Sequence, residues 1–257
     1  WLDQVTLTGE VVWGRLWSAG ASPIRSTPIT LLLRHELESW VAMTASARVD
    51  DEAMSSYGRE VWSALEKRGP SFTRELQSAT GLLASHFEMG LVELIGRGRI
   101  TCDSFGGLRR LITPPSRRRG VMKTAELAPA GRWSVFRRDQ PGGTVDVEFV
   151  ARRLLDRYGV VFRKMLTRER VPVPWRDLVR VYRHMELRGD VRGGRFVQRF
   201  AGEQYALPEA VELMRRLRRS GQEIRTHVSA ADPLNLQGIL TPDERIPSQT
   251  RRHVDVG

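Results

Sequence analysis

Two stretches of the chain repeat one order of elements. Leu94 to Ile112 reads LIGRGRITCDSFGGLRRLI, and Glu186 to Phe200 reads ELRGDVRGGRFVQRF. Each is a helical pattern that stops at a glycine, then a short alternating run, Gly-Gly, and a basic run. A glycine just past a helical pattern ends the helix. Alternation around a Gly-Gly pair is the pattern of a hairpin. A partial echo, LTGEVVWGRLW, runs from Leu7 to Trp17. A helix feeding a hairpin, met repeatedly, constrains the chain to an array of small winged helix-turn-helix units. The repeat lies in the order of elements and not in sequence identity.

The expected class is mainly α with small β-hairpins, an α+β chain of tandem winged helices. Residues 1–50 read as the tail of a preceding unit with a connecting strand and helix: Leu2 to Leu7 ends a helix, Glu10 to Leu16 alternates, and Ser26 to Met43 gives a strand and a short helix. Residues 51–112 form the first complete unit. SSYGREVWSALEKRG is its first helix, with Val61, Trp62 and Leu65 on one face and Gly69 at its end. Ser71 is the expected N-cap of a second helix, FTRELQS. LLASHFEMGLVELIGRG is the third helix, and RITCDSFGGLRRLI the hairpin. Residues 113–143 are a proline-rich, basic connector in which GRWSVF, from Gly131 to Phe136, is a docking strand. Residues 144–221 repeat the unit. TVDVEFVARRLLDRYGV, VFRKMLTRE and WRDLVRVYRHMELRG are its helices, DVRGGRFVQRF its wing, EQYAL an extra strand, and PEAVELMRRLRRS a helix opened by Pro208. Residues 222–257 read as the start of another domain.

Charge narrows the partner. Lysines stand only at 67, 123 and 164, so 38 of the 41 basic residues are arginine. A GC-rich genome produces such a bias, and so does phosphate binding, which suits the forked guanidinium. Residues 1–108 carry net −3 and residues 109–257 net +14, together the chain's +11. A polyanion is the natural partner of the second half. Cys102 is alone, so no internal disulfide forms, and a reducing compartment, the cytoplasm, is expected. No apolar run reaches the ~18 residues of a membrane span, and no signal peptide is legible. The sequence opens at Trp1 in mid-pattern, as a piece of a longer chain reads.

The two third helices differ. At about 100° per residue, Trp175, Leu178, Val179, Tyr182 and Met185 share one side of the second unit's helix. Arg176, Arg180 and Arg183 form a stripe opposite, the face that a helix-turn-helix offers to groove or phosphates. Arg192, Arg195 and Arg199 in the wing extend that footprint. A solvated face paired with Asp177 and Glu186 is the alternative reading of the stripe. In the first unit Leu83, Phe87, Leu91 and Leu94 face the core, while Ser85, Met89, Val92, Glu93 and Gly96 offer no arginine opposite. That helix is expected to pack on a neighbouring domain, leaving Arg109 and Arg110 of its wing, and Arg117, Arg118 and Arg119 of the connector, as nucleic-acid contacts.

Catalytic and metal motifs are missing. There is no phosphate-cradling GxxxxGK[ST], no GxSxG elbow, and the histidines at 35, 86, 184, 227 and 253 have no ligand spacing. Asp232 in ADPLN reads as a turn residue before a catalytic carboxylate. Glu203 and Gln204 in GEQYAL read as local backbone partners before contacts to a base. Trp13, Trp62, Trp133 and Trp175 read as core, each with a face able to stack on a base.

RRLLDRYGVVFRKMLTRE, WRDLVRVYRHMELRGDVRGGRFVQRFAGEQYALPEAVELMRRLR and DPLNLQGILTP resemble the large helicase-related (Lhr) proteins of bacteria, and GEVVWGRL and SFTREL…GLVELIGRGRITCDSFGGLR fit too. The resemblance covers most of the chain and is to the C-terminal extension beyond the helicase core. It implies tandem winged helices followed by a β-barrel, whose start would be residues 222–257. It implies a parent that is an ATP-dependent 3′–5′ helicase linked to DNA repair, with ATP and Mg in its core and no cofactor in this region. The implied partners are DNA, single-stranded or forked, or an RNA–DNA hybrid, the helicase core of the same chain, and further copies in a homo-oligomer; the implied location is the nucleoid. Related arrays in a bacterial DNA glycosylase family imply a second activity for the extension. No catalytic residue can be carried onto this sequence.

Overall fold

A computed structural model describes residues 2–17, 28–44, 54–113, 131–137, 144–167, 169–221, 226–230, 232, 235–238, 240 and 253–256. They form two compact units, Trp1–Thr144 and Val145–Gly257.

In the first unit, α1 (Leu2–Leu7) leads into β1 (Val11–Gly14), which pairs antiparallel with β2 (Thr30–Leu33), followed by a 3-10 turn (Arg34–Glu36) and α2 (Leu37–Met43). Next come α3 (Ser56–Arg68), β3 (Ser71–Phe72), α4 (Thr73–Thr80), α5 (Ala84–Gly96), β4 (Ile100–Cys102), α6 (Phe105–Ile112) and β5 (Arg132–Val135). The sheet order is β3-β5-β4, antiparallel throughout, so the last strand lies in the middle. Ser55 Oγ accepts from Gly58 N at 3.1 Å and caps α3. Ser71, expected to cap the next helix, is instead a buried residue of β3 whose Oγ donates to Gly69 O at 3.0 Å. Phe72 holds the cap position of α4, and its N–H donates to the Glu75 carboxylate at 3.1 Å.

β1 serves two cores because neighbouring strand residues face opposite sides. Trp13, fully buried, stands edge-on to Trp133 at 6.4 Å and to Phe105 at 5.8 Å, in the cluster built by Val61, Leu65, Phe87 and Leu91. Val12 joins Leu16, Leu32 and Phe136 in a smaller cluster. A boundary near residue 50 therefore separates no two cores. Each large apolar side chain removed from water here contributes about 1.5–3 kcal/mol before ordering costs.

The expected hairpin around Gly106-Gly107 is not there. β4 is followed by α6, and the strand that pairs with β4 is β5, the docking strand of the connector. Ser104 Oγ and Asp3 Oδ1 both accept from Gly106 N, at 3.0 and 2.9 Å, which starts a helix where a turn was expected. A Cβ on Gly107 would meet Cys102 Sγ and the Trp133 ring, each at 3.1 Å. Gly107 is needed for close packing and not for reversal.

The second unit contains α7 (Val147–Tyr158), β6 (Val160–Phe162), a 3-10 helix (Arg163–Thr167), α8 (Trp175–Arg188), β7 (Arg192–Gly194), β8 (Gln204–Ala206), α9 (Pro208–Ser220), β9 (Thr226–Ser229) and β10 (His253–Val256). Asp146 Oδ1 caps α7 by accepting from Glu148 N and Phe149 N at 2.9 and 3.1 Å. VFRKMLTRE, read as a helix, is strand β6 and one short 3-10 helix, because Gly159 at φ +69° turns the chain straight into the sheet. Sheet order β6-β8-β7 repeats the arrangement of the first unit. Gly193 and Gly194 lie in β7 and do not turn it; the returning strand is β8, the run read as an extra strand. Of residues 222–257, β9 and β10 pair antiparallel with His227 stacked on His253 at 4.9 Å. The remainder of the expected barrel start lies largely outside the described residues.

Candidate nucleic-acid interface

α8 carries the site. Pro174 stands at its N-cap position, and Gly189 at φ +85° ends it in the left-handed conformation that glycine tolerates. Leu178, Val179, Tyr182 and Met185 are buried, and Trp175 is half-buried above them. Tyr182 stacks on Tyr205 at 5.0 Å and donates its hydroxyl to Ala151 O at 3.1 Å; burial pushes its pKa up. This fixes the rotation of the helix and turns the other face outward. On that face the Arg176, Arg180 and Arg183 side chains are 80%, 76% and 62% exposed.

Their partners are acidic side chains at the surface. Arg180 Nη1 donates to Asp177 Oδ1 at 3.3 Å, and Arg176 Nε lies 3.7 Å from the same oxygen. Arg183 Nη2 donates to Glu203 Oε1 at 2.7 Å; hydrogen bonds to Glu203 and Tyr205 hold its pKa up. Exposed pairs of this kind are worth about 0–1 kcal/mol, so a phosphate can replace the carboxylate at little cost. Other arginines are committed to structure. Arg152 and Arg188 both reach Glu148 and Asp190 at 2.9–3.4 Å across α7 and the end of α8. Side-chain hydrogen bonds from Arg152 and Arg188 hold the Glu148 carboxyl below its usual range. Arg157 lies 2.6 Å from Glu169.

The wing continues the basic face. Arg192 is exposed in β7, and Arg195 and Arg199 are exposed in the loop 195–203. Gln204, fully buried in β8, holds this loop. Its Oε1 accepts from Phe196 N and Val197 N at 2.9 and 2.8 Å, and its Nε2 donates to Val197 O and Phe200 O at 2.9 and 3.2 Å. Glu186 Oε1 accepts from Gly193 N at 2.8 Å, and a Cβ on Gly193 would lie 2.7 Å from that oxygen.

The first unit offers less. Arg109 lies in α6 and not in a wing: its Nη1 is 2.6 Å from Asp3 Oδ2, and Arg110 lies 3.6 Å from Glu88. Leu83, expected in the core, is 69% exposed at the start of α5. Glu93, expected on an open face, accepts from Ser55 N at 3.0 Å and from Arg97 Nε at 3.0 Å. Arg117, Arg118 and Arg119 lie outside the described residues. Four arginines escaped sequence reasoning because burial is invisible in composition: Arg15, Arg97, Arg99 and Arg137 are buried. Arg137 donates to Leu16 O and Thr44 Oγ1 at 3.3 Å and to Arg97 O at 3.4 Å, joining three segments. Among the described residues no three His, Cys, Asp or Glu side chains gather as for a metal ion, and no helix is long and apolar enough to cross a membrane.

Comparison with known proteins fits this arrangement. Residues 140–226 match the family model of the winged-helix domain of large helicase-related proteins, a span that contains all of α7 to α9. The chain is 24% identical over 272 aligned positions, 94% of its length, to the Lhr helicase/uracil glycosylase of Escherichia coli K12. It is 25% identical, over 83% of its length, to the Lhr helicase/probable uracil glycosylase of Mycolicibacterium smegmatis. It spans 17% and 15% of those two relatives. Residues 140–226 thus carry a winged-helix domain of the type found in large helicase-related proteins, and the chain as a whole is similar, along most of its length, to part of two Lhr helicases.

Proposed function

We propose that the chain is a nucleic-acid-binding module of an Lhr-type ATP-dependent 3′–5′ DNA helicase acting in DNA repair, with no catalysis of its own. The two units then form a tandem of winged helices, and the second grips DNA. ATP and Mg belong to the helicase core of the parent, and the setting is the cytoplasmic nucleoid. One observation carries the reading: the packing of α8 turns Arg176, Arg180 and Arg183 outward together, beside wing arginines with no competing ion pair among the described residues. Contacts of this kind hold phosphates, so they supply affinity and little sequence specificity.

The test is binding to labelled single-stranded and forked DNA across a salt series. Six arginine–phosphate contacts give a slope of log K against log salt of about −4 on single strands, and three give about −2. Arg176→Glu/Arg180→Glu/Arg183→Glu should weaken binding steeply and flatten the slope. Binding that is absent, or unchanged by the triple substitution, removes the assignment.

A second reading is favoured by the names of both relatives, which include uracil glycosylase. There the module is the DNA-gripping part of a base-excision enzyme, and abasic-site formation by the full parent would depend on the same arginines. A third reading makes the first unit a scaffold between copies, since α5 exposes Leu83 and Met89 at 69% and 58%. A concentration-dependent mass in sedimentation supports it, and a 29.2 kDa monomer counts against it.

A further inference from the structure

An open cleft of about 800 Å³ lies between the 3-10 helix Arg163–Thr167, the first turn of α8 and the wing loop. Small-molecule pockets span about 300–1,000 Å³. The apolar lining of the cleft includes Phe200, packed on the buried Phe162 ring at 4.6 Å, with Leu166, Val173, Pro174 and Trp175. Arg163, Lys164, Arg176 and Arg199 also line it, and among the described residues no carboxylate does. Arg163, Lys164 and Arg199 form no ion pair with the described residues. Arg199 has φ +67°, and among the described residues no other non-glycine has a positive φ. That conformation is sterically disfavoured for a residue with a Cβ. The bonds of Gln204 to Val197 O and Phe200 O hold the loop on either side of it.

A cleft lined by aromatic rings and four cations suits a ligand that is flat and uncharged at one point and anionic on both sides. A nucleobase and its flanking phosphates have that form. An aliphatic protein side chain would fill the cleft and leave Arg163, Lys164 and Arg199 unmatched. A base inside a duplex stays stacked and cannot present its face to a cleft.

We propose that this cleft receives one unstacked base of a single-stranded nucleic acid. The base lies against Trp175 and Phe200, and its phosphates lie on Arg163, Lys164, Arg176 and Arg199. The inference rests on the nucleic-acid reading above and deepens it, because it makes single strands and forks preferred over blunt duplex.

The experiment compares binding of the chain to oligodeoxythymidine with binding to an abasic deoxyribose-phosphate oligomer of equal length. The thymidine oligomer should bind about ten- to a hundred-fold more tightly, the gain from stacking one base. Trp175→Leu with Phe200→Leu should erase that difference and leave abasic binding unchanged. Arg176→Glu/Arg180→Glu/Arg183→Glu should lower binding of both oligomers. Equal binding of the two oligomers by the wild type overturns the cleft and leaves the phosphate grip standing; binding of neither overturns both. Photocrosslinking of a 5-iododeoxyuridine oligomer to the wild-type chain gives an answer that does not depend on how the leucine variant folds. Crosslinks at Trp175 or Phe200 support the cleft, and crosslinks confined elsewhere overturn it.

Discussion

Removing the Gln204 side chain should detach the wing from the rest of the second unit. Gln204 is fully buried and makes four hydrogen bonds to three residues of the loop. Its amide orientation follows from them, with the oxygen facing two N–H groups and the nitrogen facing two carbonyls. Gln204→Ala frees all four backbone groups. At about 1 kcal/mol net per bond, with some groups finding water, the expected loss is about 2–4 kcal/mol. Gln204→Glu is the sharper probe, because it keeps the shape. One oxygen still accepts from Phe196 N and Val197 N, but the other faces the Val197 and Phe200 carbonyls without a proton. Burial and those carbonyls raise the pKa of the new carboxyl above its unfolded value of about 4.3. A raised carboxyl contributes its stability below the unfolded value and loses it as pH rises through the folded one. Gln204→Glu should therefore be closest to wild type in mild acid and most damaged at neutral pH. Urea unfolding gives the stability, and hydrogen exchange at the Phe196 and Val197 amides gives the local effect. Unchanged exchange, with stability within about 0.5 kcal/mol of wild type, would refute the argument that one side chain holds the wing.

Two other outcomes test the first unit. A Cβ at Gly90 would lie 2.8 Å from the Tyr57 carbonyl oxygen, where α5 crosses α3; Gly90→Ala should cost about 1–3 kcal/mol in thermal or urea unfolding, with DNA binding by the second unit unchanged. Asp3 and Glu93 should carry part of the acid sensitivity of the first unit. Burial raises both carboxyls, but Arg109, Gly106 N and Ser104 around Asp3, and Ser55 and Arg97 around Glu93, outweigh it and hold both below their ordinary values. Stability from a lowered carboxyl is present above its unfolded pKa and lost as pH falls through the folded one. Thermal unfolding of the wild type should thus drop more steeply below about pH 4 than that of Asp3→Asn/Glu93→Gln, and parallel profiles would show that the two carboxylates do not carry the acid sensitivity.

Most of the helices were legible because their signals are local. Gly69, Gly189 and the run from Trp175 to Arg188 mark their own ends and faces, and Leu178, Val179, Tyr182 and Met185 are buried as the period requires. The basic stripe opposite follows from the same period, so Arg176, Arg180 and Arg183 were found together. The strands were read poorly. Gly106-Gly107 and Gly193-Gly194 both look like turns, yet one pair opens a helix against Trp133 and the other lies in a strand against Glu186.

Length, arginine bias, helix periods and terminal glycines determined that this chain forms small helical units with one outward basic face. The tertiary structure decided which arginines are available. Arg109 is held by Asp3 from 106 positions away, Arg137 by Leu16 from 121, and Arg188 by Glu148 from 40. It also decided that Phe162, Trp175 and Phe200 meet in one cleft. The physical reason is range. Helix propensity and amphipathicity act within a few residues, whereas ion pairing and desolvation depend on neighbours that only the folded chain brings together.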